Sequence, residues 1–181
     1  MPNVTDIETL VTGGSAYNVV FNDGGYLTSA TFNHTGTLTL NDEATDMISS
    51  QGGITATAPA VINLAGTINL GSFGGIILGA ADSAIHLTAD TTLNANNGAT
   101  GVIINGDLDD GSGDYTLTLN STTTTASYAL FAGDVDLYGL VTGAAVGQPY
   151  QIAFYGPTTL IDTKITFLNT GVVFFGNGGD V

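Results

Sequence analysis

The segment Asn105-Gly106-Asp107-Leu108-Asp109-Asp110-Gly111-Ser112-Gly113-Asp114 holds a dense run of side-chain oxygens. Asn105, Asp107 and Asp109 alternate, so in an extended segment they point to one face, as the ligands of a hard cation such as calcium must. An EF-hand loop requires glycine at its sixth position for the sharp turn, and here that position is Asp110. The nonapeptide calcium repeat of secreted toxins is missing as well. The favoured expectation is therefore an acidic surface turn between two strands, with calcium on Asn105, Asp107 and Asp109 as the alternative. No other cofactor is expected.

Catalysis finds little support. Glycoside hydrolysis needs two converging carboxyl groups held ~5–10 Å apart. The adjacent acidic pairs, Asp42-Glu43 and Asp109-Asp110, have no basic residue near them in sequence. Polysaccharide lyases use Arg or Lys as base and substrate clamp, and the sole cation here is Lys164. His34 and His86 stand beside Thr and Leu at polar strand positions, where an exposed spacer is the expectation rather than a general base. The reading is a protein that is not an enzyme.

Charge narrows the partners. Sixteen acidic residues face one basic residue, a formal net charge of −15, yet charged residues make up 9% of the chain and apolar residues 43%. Nothing is present to neutralise phosphates, which excludes nucleic acid and disfavours an anionic membrane surface. The longest apolar stretch, around Ile76 to Ala81, is too short to span a bilayer, so no membrane insertion is expected. Cysteine is absent, which removes disulfides and thiolate metal sites.

The elements that must position these residues are short strands. The phrase Thr-apolar-polar-Leu returns as Thr37-Leu38-Thr39-Leu40, Thr67-Ile68-Asn69-Leu70 and Thr116-Leu117-Thr118-Leu119. Each phrase buries two apolar side chains and turns Thr or Asn to water. Apolar strand centres near Ile62, Ile68, Ile77, Ile85, Leu93 and Ile103 leave room only for tight corners between them. Three such strands per turn predict an all-β solenoid with coils of ~20–27 residues. The alternative is a β-sandwich or jelly roll, whose strands are commonly about 8–12 residues apart. Thr35, Thr37 and Thr39 alternate as in a flat hydroxyl array, but an array would need Thr at the same place in successive coils.

Gly36-Thr37-Leu38-Thr39-Leu40-Asn41-Asp42, Gly66-Thr67-Ile68-Asn69-Leu70, Leu87-Thr88-Ala89-Asp90-Thr91-Thr92-Leu93 and Asp114-Tyr115-Thr116-Leu117-Thr118-Leu119-Asn120 resemble the repeats of bacterial autotransporter passengers and filamentous-haemagglutinin-like surface proteins. The resemblance implies a right-handed parallel β-helix, extracellular or at the cell surface, serving as an adhesin or structural scaffold. Those relatives are usually very long, so this chain is expected to be an excised segment or a small stand-alone subunit. Residues 1–181 read as a single solenoid domain, with a wider aromatic-rich part from about Tyr128. The rings there fit either a broader core or an aromatic docking end. No convincing cap is visible at either terminus, and uncapped solenoid ends favour a homo-oligomer or filament built by end-to-end contacts. A glycan or host-surface ligand, bound by a carbohydrate- or receptor-binding module, is the alternative.

Overall fold

The computed structural model describes residues 7–22, 24–71, 74–95, 101–120, 128–143, 149–163 and 165–176. Lys164 lies outside the described residues. Nineteen strands and no helix occur among those residues. They are β1 (Ile7–Val11), β2 (Val19–Phe21), β3 (Gly25–Thr31), β4 (Thr37–Leu40), β5 (Met47–Ser50), β6 (Ile54–Ala56), β7 (Val61–Leu70), β8 (Ile76–Leu78), β9 (Ala84–Ala95) and β10 (Val102–Ile104). There follow β11 (Asp107–Asp109), β12 (Thr116–Asn120), β13 (Tyr128–Phe131), β14 (Val135–Leu137), β15 (Gly139–Thr142), β16 (Gln151–Phe154), β17 (Thr159–Ile161), β18 (Thr166–Phe167) and β19 (Val173–Phe175).

Every pairing is parallel, and each joins a strand to its counterpart one turn later. A turn takes from 19 residues (Val19 to Leu38) to 27 (Val102 to Ala129). The chain is therefore a parallel β-solenoid, and two antiparallel sheets packed face to face are ruled out.

The strands form three faces. The first climbs β2, β4, the start of β7, the start of β9, β11, β14 and β17. The second climbs the start of β3, β5, the end of β7, the end of β9, β12, β15 and β18. The third climbs the end of β3, β6, β8, β10, β13, β16 and β19.

Alternation decides what enters the lumen. In Thr37-Leu38-Thr39-Leu40 both leucines are buried and both threonines are half-buried on the outside. Register then stacks like upon like: Leu38, Ile62, Ile85, Leu108 and Val135 make one inward column of the first face. Each fully buried Leu or Ile contributes about 1.5–3 kcal/mol, and the narrow lumen favours such aliphatics. The long strands β7 and β9 turn the corner between the first and second faces without breaking. Gly66, at φ 59°, makes that bend in β7, where a Cβ would come within 2.7 Å of the Glu43 carbonyl oxygen and closer still to that of Asp46.

The aromatic residues of the last third divide between inside and outside. Phe131, Phe154 and Phe175 stack in the lumen at successive centroid distances of 4.9 Å, and Phe167 meets Phe175 edge-on. Tyr150 is buried and donates its hydroxyl to the Leu119 carbonyl oxygen at 2.9 Å. Tyr128, Tyr138, Tyr155 and Phe174 face outward. Residues Tyr150 to Tyr155 centre on β16, which is paired on both edges, by β13 and β19.

Candidate functional site

The outer columns of the first face gather the groups with chemical potential. Register aligns Thr39, Asn63, His86, Asp109 and Asp136 on successive coils. His86 Nδ1 lies 2.8 Å from Asp109 Oδ1, and both side chains are a little over one-third exposed. The same carboxyl oxygen accepts the Gly111 backbone N–H at 3.0 Å. With Nδ1 engaged, Nε2 is the imidazole nitrogen left for other partners. His86, Thr88, Asp109, Asp110, Ser112 and Tyr115 line a shallow open groove of about 470 Å³.

The three residues alternating from Asn105 take different partners. Asn105 donates its side-chain amide to the Gly79 carbonyl oxygen of the preceding coil at 3.2 Å. Asp107 accepts the Asp134 backbone N–H of the following coil at 2.9 Å. Asp109 turns back to His86. Asp107 and Asp109 do share the outer side of β11, as alternation requires, but their hydrogen bonds run in opposite directions along the solenoid. Among the described residues no three His, Asp or Glu side chains come together as a metal-binding group.

The acidic residues have a second use that their spacing in sequence does not reveal. Asp90 accepts the Thr116 N–H at 2.9 Å, Asp134 accepts that of Thr158 at 2.8 Å, and Asp110 accepts two, from Tyr115 at 3.0 Å and Tyr138 at 2.8 Å. With Asp107, these carboxylates tie the corners of one coil to the backbone of the next, where the strand ladder is interrupted. A charged acceptor suits that task, since hydrogen bonds to ionised groups are the stronger class. The sequence signal is an Asp at or beside a corner, which looks no different from a solvated turn until the register is known.

His34 departs from expectation. It is fully buried rather than an exposed spacer, because it follows the end of β3 at a corner and not on an outward strand position. Its Nδ1 meets the Thr12 hydroxyl at 3.1 Å, its Nε2 meets the Thr37 carbonyl oxygen at 3.3 Å, and Tyr17 stacks on its ring at 5.3 Å. These contacts make it a packing residue at the N-terminal end.

Thr39 leads into a column of Asn, His and Asp, so no threonine array forms on the first face. On the second face Thr67, Thr92 and Thr118 do stack, beside a column of Asn69, Asn94 and Asn120 in which Asn94 donates to Asn69.

Fold and site together define an acidic parallel β-solenoid with polar and charged columns on two faces. No family model, curated protein or solved structure matches the chain.

Proposed function

We propose that this chain is an extracellular structural protein, a β-solenoid subunit or segment of a bacterial surface adhesin or self-assembling filament. The observation that carries the reading is the open C-terminal rung. Phe175 belongs to the inward column of Leu78, Ile104, Phe131 and Phe154, yet it is 55% exposed, and Val173, Phe167 and Ile161 beside it are only partly covered. An inward-facing layer left open, above strands whose outer edges have no partner among the described residues, is a surface on which a further coil can stack. The function is mechanical: rungs of backbone hydrogen bonds over stacked apolar side chains extend one another, and no reaction is catalysed.

Negative-stain microscopy and light scattering of the purified chain, with and without salt, test this. Linear assemblies that grow as salt screens the net charge are expected. A sharp monomer at high concentration overturns the reading.

A carbohydrate- or receptor-binding module is the second reading, and the groove beside His86, Asp109 and Tyr115 is what favours it. A glycan array separates the two, because a purely structural subunit selects no glycan.

A further inference from the structure

The outer column of the third face breaks the pattern of the other two. Register aligns Thr31, Thr55, Ile77, Ile103, Leu130, Ala153 and Phe174. After two threonines, five successive coils turn an apolar residue to the outside. The corresponding positions of the first face carry Asn63, His86, Asp109 and Asp136 before reaching Leu160, and those of the second carry Thr67, Thr92 and Thr118 before reaching Val141. No carboxylate lies on β8, β10, β13, β16 or β19. Toward the C-terminal end Tyr128, Tyr155 and Val172 stand up beside Leu130, Ala153 and Phe174, enclosing a groove of about 470 Å³. Tyr155 and Phe174 meet with ring centroids 5.4 Å apart.

We infer that this stripe is a lateral interface on which a second copy of the chain docks, antiparallel, about a two-fold axis near Leu130. Charge selects the occupant. Copies carrying −15 each repel one another wherever carboxylates face outward, so they can approach only through an uncharged face. The second face is also uncharged, but its Thr and Asn columns are hydrated and gain little from leaving water. The third face gains from burial. The side chains of Ile77, Ile103, Leu130, Ala153 and Phe174 offer no hydrogen-bonding group, Gln151 and the Tyr128 and Tyr155 hydroxyls standing at the C-terminal groove alone. An apolar surface known to be present at equal concentration is the same stripe on another copy.

Shape selects the sense. Among the described residues the tall aromatic rims stand at the C-terminal end, while Ile77 and Ile103 form a low aliphatic end. Parallel pairing would bring rim against rim and hold the isoleucines apart. Antiparallel pairing sets Ile77 of one copy against Phe174 of the other, Ile103 against Ala153, and Leu130 against Leu130.

Five rungs span ~19 Å at the usual strand spacing. That makes a patch smaller than the ~800 Å² per partner of a durable dimer, so the pairing is weak, with Kd on the order of 100 µM. It is independent of end-to-end stacking, since the two contacts use different surfaces.

Equilibrium sedimentation of the full chain, from about 10 µM to about 1 mM, reads the association. Phe175→Asp blocks the open end and is expected to reach twice its monomer mass, more readily in salt, while wild type goes on to larger assemblies. In that background Leu130→Asp weakens association at least about tenfold, and Thr118→Asp, with the same added charge on the second face, leaves it near the parent. A Phe175→Asp protein that stays monomeric overturns lateral pairing alone, and a wild type that stops at the two-fold mass overturns end stacking alone.

Because the chain has no cysteine, single thiols supply a check that needs no charge change. Oxidation is expected to crosslink Leu130→Cys to itself, and Ile77→Cys to Phe174→Cys in a mixture, but not Thr118→Cys or Ile77→Cys alone. A wild-type monomer at the highest concentration overturns the inference, as does equal disruption by Thr118→Asp. Self-crosslinking of Ile77→Cys, or a monomer that instead floats with neutral phosphatidylcholine vesicles, does the same.

Discussion

The ring of Phe175 lies 4.9 Å from that of Phe154 and within 6° of parallel, while Phe154 stacks just as closely on Phe131. Phe154 thus has a ring on both sides and Phe175 on one. Phe154→Ala is expected to cost about 3–5 kcal/mol, the range for deleting a fully buried aromatic. Phe175→Ala should cost roughly 1 kcal/mol in the monomer, because much of its ring already meets water. Urea denaturation at low protein concentration compares the two. Equal losses would mean that the last rung is covered in solution and is not an open end.

Asp110 holds two backbone N–H groups, one in its own corner and one in the following coil. Asp110→Ala leaves both without that acceptor, and its partial exposure limits the cost to about 1–2 kcal/mol. Asp110→Asn keeps an oxygen acceptor and should cost less than half as much. Asp136 is a contrast, since it is exposed and directly follows Asp109 in the outer column. Its removal relieves a like-charge neighbour, so Asp136→Ala is expected within about 0.5 kcal/mol of wild type, on the stabilising side. Thermal melts of the three variants at low ionic strength rank them. A destabilising Asp136→Ala would contradict the assignment of corner ties to specific carboxylates.

Burial pushes the Tyr150 phenol up from 10.0 to about 12, with the Thr142 hydroxyl pulling weakly the other way. The folded state therefore disfavours the phenolate. Stability linked to this group is fully present below pH 10, where the tyrosine is protonated in both states, and is lost as pH rises through about 12. A shift of this size corresponds to at most about 2–3 kcal/mol. Tyr150→Phe loses the bond to Leu119 at every pH but should lack this alkaline component. Melting curves from pH 9 to 12 are expected to converge for the two proteins as pH increases. Parallel curves would show that Tyr150 is not the responsible group.

The solenoid could be read from the sequence because its rule is local. Alternation in Thr37-Leu38-Thr39-Leu40 and in Thr67-Ile68-Asn69-Leu70 determines which side is inward, and short gaps between strand centres leave no room for return strands. The candidate site was less legible because it depends on register between coils. Insertions of different lengths make the turn vary from 19 to 27 residues, so no fixed offset pairs His86 with Asp109 or Asp107 with the Asp134 backbone. The same variation hid the stacking of Ile77, Ile103 and Leu130, each of which looks like an ordinary apolar strand residue in isolation. His34 was misread because a corner residue can turn inward, and alternation does not extend through a corner.

The His86–Asp109 pair joins adjacent coils at 2.8 Å, with Asp136 next to Asp109 in the same outer column. Both groups are partly exposed, so their coupling is expected to be small, about 0.2–1 kcal/mol. A double-mutant cycle with His86→Ala and Asp109→Ala isolates it from the bond that Asp109 makes to Gly111, because that bond is lost equally in both arms that contain Asp109→Ala. The coupling should shrink as salt is raised from low concentration to about 1 M, where the Debye length is ~3 Å. If it is instead unchanged by salt, the contact is a neutral hydrogen bond rather than an ion pair. If it is absent at every salt concentration, the first face carries these side chains as neighbours without mutual support.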